Sequence, residues 1–135
     1  MQNIIKLFLF ACLLSSSLSI AAISTDAPSV TNPEKTIIVD KENQEFTIIL
    51  ASTPSTGFSW LLESYDINLV KPIKHDYNAP AKTALGAAGV ERWVFAASPE
   101  IIAGPQVTTI TLIQARMWDI KNTTSKKSVF TVVIN

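Results

Sequence analysis

The chain has 135 residues, 47% of them hydrophobic and 16% charged, with 11 Lys+Arg against 11 Asp+Glu. That is one domain's worth of chain, too apolar for a disordered tail, and its zero net charge without a basic run argues against a nucleic-acid partner. One Cys permits no intrachain disulfide and one His excludes a multi-histidine site, so no metal or cofactor is expected.

The first residues have the build of a secretory signal peptide. Residues 1–6 carry one positive charge, residues 7–14 form a continuous apolar run, and residues 15–22 are small and weakly polar, ending in Ala21 and Ala22 before a plausible cut. The run is too short for the ~20 apolar residues of a membrane span. Residues 1–22 are therefore read as a signal peptide, the mature protein as exported to the periplasm or secreted, and stable membrane insertion as not expected. Leu9, Phe10, Ala11 and Cys12 loosely resemble a bacterial lipobox, which gives a lipoprotein anchored through Cys12 as the alternative. The short apolar run before Cys12 and the apolar Leu13 and Leu14 after it speak against that alternative. Cut after residue 22, the chain keeps no Cys, and its stability must come from a core.

Residues 23–34, with Pro28 and Pro33, read as a loose lead-in. Residues 35–40 form a short β-branched strand, residues 41–44 a polar turn, and residues 45–50 a strand with Phe46, Ile48 and Leu50 on one face. Further strands are expected over 58–62, more weakly over 68–74, then over 92–96 and 107–115. A weakly structured stretch runs from His75 towards residue 85. Residues 121–127 read as a polar, hairpin-like connection, and residues 128–134 close the chain with Phe130, Val132 and Ile134 in alternation. No segment keeps a 3.6-residue period over eleven residues, and residues 98–105 hold one helical turn at most. Short strands separated by turn signals predict an all-β sandwich over residues 35–135.

Three connections carry the unusual residues. The first holds Thr53, Pro54, Ser55, Thr56, Gly57 and Phe58. Pro54 fixes φ, Gly57 allows φ > 0 and the hydroxyls bond local backbone, so taken alone this is a well-made turn. The second holds Gly86, Ala87, Ala88 and Gly89 ahead of the Trp93 strand. It has almost no side chain, so its backbone can approach another surface closely. It lacks the Gly-Lys-Ser/Thr ending and the following helix of a phosphate loop. The third holds Arg116, Met117 and Trp118. Its bland reading is a Trp capping the core, with Arg116 paired to Asp119 on the surface. Loops of a sandwich cluster at its two ends. Placed at alternate strand junctions, these three would form one narrow, largely uncharged edge, better suited to entering a groove than to catalysis.

At these residues the sequence resembles the chagasin-type inhibitors of papain-like cysteine proteases. Thr53 to Phe58 is similar to the family's Asn-Pro-Thr-Thr-Gly-aromatic loop, with Thr53 for Asn and Ser55 for Thr. Gly86, Ala87, Ala88 and Gly89 resemble its Gly-x-Gly-Gly, with Ala88 for a central Gly. Arg116, Met117 and Trp118 resemble its Arg-Pro-Trp, with Met117 for Pro. The resemblance implies an immunoglobulin-like β-sandwich of about seven to eight antiparallel strands. It also implies a reversible, noncovalent inhibitor that inserts these loops into the cleft of a papain-like protease, its own or a host's, and acts as a monomer. Ala88 disfavours φ > 0 and predicts a differently seated or weaker middle loop. Met117 removes a φ restraint and predicts a more mobile Trp118.

Two other readings compete. A hydrolase would need His75, which has no Gly-x-Ser-x-Gly elbow nearby, and no set of nucleophile, base and orienting group can be assembled. An immunoglobulin-like module binding protein or carbohydrate, with Trp118 stacking on its ligand, is the alternative to inhibition. The feature that separates them is whether the three loops meet.

Overall fold

The computed structural model describes residues 27–40, 42–81, 86–98 and 104–135. The expected signal peptide, its expected cut and Cys12 lie outside the described residues, as does most of the helical turn considered over 98–105. Among the described residues no helix is long and apolar enough to cross a membrane.

Among the described residues, eight strands form two four-stranded sheets. In chain order they are β1 (Ser29–Val30), β2 (Ile37–Val39), β3 (Glu45–Ser52), β4 (Ser59–Ser64), β5 (Val70–Asn78), β6 (Gly89–Ala97), β7 (Gln106–Ala115) and β8 (Lys126–Ile134), with one short helix, α1 (Ile120–Thr123), between β7 and β8. One sheet runs β1-β3-β6-β5, the other β2-β8-β7-β4. This is the expected all-β sandwich. The alternation seen in the sequence is the burial pattern: Phe46 and Ile48 of β3, Ile110 and Leu112 of β7, and Phe130 and Val132 of β8 are fully enclosed. Phe46 stacks on Phe95 of β6 at 5.5 Å between ring centroids. Each such side chain contributes roughly 1.5–3 kcal/mol of burial free energy, which lets the fold stand without a disulfide.

Four expectations need correction. The strands are not all antiparallel: β1 pairs with β3 and β2 with β8 in parallel. Both are very short and sit at sheet margins, where they cover backbone that would otherwise form an open edge. The lead-in over 23–34 is thus not wholly loose, because Ser29 and Val30 join a sheet. The start of the stretch from His75 is not weakly structured either. β5 continues to Asn78, pairing antiparallel with β6. The weak strand expected over 68–74 is the first part of β5; its continuation gave no signal because β5 is an edge strand exposed at almost every position, with no alternation to show. Pro72 sits at its bulge, where a missing N–H is tolerated. Finally, the polar link before β8 holds α1 rather than a plain hairpin turn.

Candidate functional site: three loops at one end of the sandwich

The strand registers decide where the three loops lie. Ser52, the last residue of β3, is opposite Gly89, the first of β6. Ser59, the first of β4, is opposite Ala115, the last of β7. Residues 53–58 join Ser52 to Ser59, so they cross from one sheet to the other between the β5–β6 and β7–β8 connections. All three motifs therefore meet at one end.

The first loop is a 3-10 turn over Pro54–Thr56, closed by Gly57 in the left-handed region at φ 81°. The Thr56 and Gly57 N–H groups donate to the carbonyls of Thr53 and Pro54, at 3.0 and 2.8 Å. The Thr56 hydroxyl donates back to the Thr53 carbonyl at 2.7 Å, so its donor is used locally. Ser55 is exposed at the tip.

The third loop lies over the first. A Cβ at position 57 would stand 3.0 Å from Trp118 Cη2, 3.4 Å from Cζ2 and 3.6 Å from Arg116 Nε. Gly57 is thus required twice, for its φ and for the room the indole takes. Arg116 extends over the Phe58 ring, its Cζ 4.8 Å from the centroid, a cation–π contact worth about 0.5–1 kcal/mol near the surface. The expected surface pair with Asp119 is not among the ion pairs of the described residues. Asp119 instead accepts from the Asn122 side-chain amide at 2.8 Å, and Arg116 serves the loop cluster. Trp118 does not cap the core: it is 75% exposed, and Met117 is 69% exposed. The restraint lost with Met117 is supplied by α1. Thr123 Oγ1 accepts from the Arg116 N–H at 2.9 Å and itself donates to the Asp119 carbonyl, while the Asp119 N–H closes a turn onto the Arg116 carbonyl at 3.0 Å. Hydrogen bonds among Arg116, Asp119 and Thr123 thus brace the loop that carries Met117 and Trp118.

In the second loop the two glycines have different reasons. Gly86 has φ 80° and nothing within 4 Å of where a Cβ would be, so it stands clear of the fold. A Cβ at Gly89 would fall 2.4 Å from the Asn78 carbonyl oxygen and 2.5 Å from Tyr77 Oη, so only glycine lets β5 and β6 pair this closely. Ala88 is exposed. No described residue other than glycine has positive φ, so the methyl of Ala88 causes no left-handed strain and the expected backbone penalty is absent.

Beneath the loops lies a group the sequence reading missed. Glu91 on β6 is 2% exposed. Its carboxylate accepts the Ser52 hydroxyl and, at 3.1 Å from each oxygen, the Trp60 N–H. It lies 2.8 Å from His75 Nε2. The His75 ring stacks on Trp93 at 4.0 Å. The signal was parity: Glu91 shares a strand face with Trp93 and Phe95, which point inward. Ser, Glu and His are residue types of a hydrolytic triad, but the order is wrong. The acid stands in the middle, and the hydroxyl donates to it instead of to the imidazole base. Ser52 is itself enclosed, so nothing here activates a nucleophile. Among the described residues no group of three His, Cys, Asp or Glu side chains could hold a metal ion.

Residues 41–134, β3 to β8 with all three loops, match the family described as "Chagasin family peptidase inhibitor I42". The chain belongs to the chagasin family of peptidase inhibitors. Chagasin-family proteins are peptidase inhibitors, not enzymes. The chagasin-family match leaves β1 and β2 outside it. No curated protein matches the chain. Among solved structures, the crystal structure of the cysteine protease inhibitor EhICP2 from Entamoeba histolytica is similar, with a TM-score of 0.60 at 20% identity over 81% of this chain and 95% of that one. The solution structure of amebosin is similar with a TM-score of 0.55 at 25% identity over 81% and 96%. These likenesses agree with the all-β sandwich fold.

Proposed function

We propose that this chagasin-family chain is an exported inhibitor of papain-like cysteine proteases, and that it acts reversibly by placing residues 53–58, 86–89 and 116–118 in the active-site cleft. The observation that carries the reading is the meeting of the three loops at one end, with an exposed Trp118 seated over Gly57. The name of EhICP2 as a cysteine protease inhibitor supports the protease class.

The chemistry of the edge fits the task. A protease cleft accepts extended backbone, and the second loop offers backbone with almost no side chain around Gly86. A segment without a scissile bond in register, held by a rigid sandwich, occupies the cleft without being turned over. Ser55 offers a free hydroxyl to the cleft wall, and Thr56 offers acceptor lone pairs only. Trp118 presents a large apolar face at little ordering cost, because residues 116–123 are already fixed by hydrogen bonds. Trp is a frequent interface hot spot, worth ~2 kcal/mol or more on truncation. Three adjacent loops can supply the ~800 Å² per partner of a standard interface. Export is supported by the signal-peptide build of residues 1–22.

The test is protection of the enzyme's catalytic thiol. Preincubating papain with the purified protein should slow alkylation of that thiol by iodoacetamide in proportion to occupancy, and dilution should restore the alkylation rate. Alkylation at the rate of free papain, with micromolar protein present, would refute cleft binding. Activity that fails to return on dilution would refute reversibility.

A further inference from the structure

Glu91 is a costly choice for a sandwich interior. A buried carboxylate is tolerated only when its oxygens are hydrogen-bonded, and the sequence could have placed an apolar residue between Gly89 and Trp93. Its partners show what it achieves. Ser52 ends β3 and Trp60 is the second residue of β4, so they are the two roots of the first loop, one in each sheet. His75 belongs to β5, the strand that leads into the second loop, and Glu91 itself sits two residues past Gly89 on β6, the strand that leaves it. β4 is an edge strand, and the carboxylate receives its Trp60 N–H where a further strand would otherwise do so. One side chain thus binds four strands across both sheets, directly below the loops.

We infer that Glu91 is the positioning residue of the inhibitory edge: by clamping Ser52 and Trp60 to β6 it fixes the first loop, and through Gly57 it fixes the seat of the Trp118 indole. This rests on the proposed inhibitory role of that edge. Glu91 is too enclosed to touch a protease. It acts by keeping the binding-competent loop arrangement dominant, because a competent state populated only in part weakens apparent affinity by that fraction.

The test compares Glu91→Ala, Glu91→Gln and Ser52→Ala with Val132→Ala, which opens a core cavity at the far end of β8 and serves as a stability control. Two readouts are taken well below every melting temperature: amide hydrogen exchange at Thr56 and Gly57, and the inhibition constant for papain. Glu91→Ala should speed exchange at both amides at least tenfold and weaken inhibition at least tenfold. Glu91→Gln, which keeps an acceptor and the same shape, should stay within about threefold of the parent on both. Ser52→Ala should fall between, and it decides the matter if Glu91→Ala does not fold. Val132→Ala should lower the melting temperature yet leave both readouts unchanged. Parent-like exchange at Thr56 and Gly57 in Glu91→Ala and Ser52→Ala would overturn the inference, as would a loss of inhibition in Val132→Ala matching theirs. If the parent does not inhibit papain, the cleft-binding reading fails, while the exchange arm still decides the role of Glu91.

Discussion

Gly57→Ala separates backbone strain from the contact that seats Trp118. Alanine at φ 81° carries a left-handed penalty of about 1–2 kcal/mol. In a domain of this size that lowers the melting temperature by roughly 5–10 °C, taking about 5 °C per kcal/mol. The new methyl would also lie 3.0 Å from Trp118 Cη2, close enough that the indole must give way by a few tenths of an ångström. Trp118 is mostly exposed and gives way more readily than the core does, so the indole should move while the fold persists. Removing a Trp hot spot costs ~2 kcal/mol or more, and each 1.4 kcal/mol is tenfold in affinity, so the full loss is about 30-fold. Displacement should weaken inhibition by something approaching that figure. The assay is a double-mutant cycle on the papain inhibition constant with Gly57→Ala, Trp118→Ala and the double variant. Once Trp118 is gone, Gly57→Ala should change the melting temperature as before and the inhibition constant hardly at all. An undiminished effect of Gly57→Ala on inhibition in the Trp118→Ala background would refute the reasoning.

Three further outcomes are expected. Gly89→Ala drives a methyl against the Asn78 carbonyl and Tyr77, and because main chain cannot turn aside, thermal melting should show a loss near the upper end of the ~1–3 kcal/mol cost of overpacking; an unchanged melting temperature would contradict the observed β5–β6 packing. Lys74, hydrogen-bonded to Asp76 at 2.7 Å, holds the Asp76 carboxyl below its ordinary value of 3.8. A lowered native pKa stabilises above the unfolded value and is lost as pH falls, so between about pH 5 and about pH 2 the parent should lose slightly more stability than Asp76→Asn; an equal loss in both would argue against the pair. Intact-mass analysis of the exported protein should find an amino terminus near Ile23, whereas an acylated Cys12 terminus would make it a membrane-anchored lipoprotein.

Much of the fold was legible because the strands that build the core bury one face and expose the other. Phe46, Ile48 and Leu50, and again Phe130, Val132 and Ile134, announce their strands by alternation. β5 was legible only weakly, over 68–74, and its end to Asn78 not at all, since an exposed edge strand carrying Lys71, Pro72 and Lys74 has no apolar face to show. α1 is one turn, too short for any helical period, and β1 and β2 are too short to declare their direction. At the site, the residue types were visible and the contacts were not. Gly57 reads as a turn residue and Trp118 as an unusual aromatic, but the indole over the glycine exists only because the registers of β3–β6 and β4–β7 bring separate loops together. Glu91, between Val90 and Arg92, reads as the solvated half of an alternating strand. Its parity with Trp93 and Phe95 points inward, and Ser52, Trp60 and His75, scattered along the chain before it, give no hint in the sequence that they surround it.

The central claim is that the loop-bearing end of this sandwich blocks a papain-like active site, and steady-state kinetics with papain test it most directly. Increasing concentrations of the purified protein should raise the apparent KM for a peptide substrate while leaving kcat unchanged, and Trp118→Ala should shift that titration at least tenfold. Full papain activity at micromolar inhibitor, or a fall in kcat with KM unchanged, would contradict it.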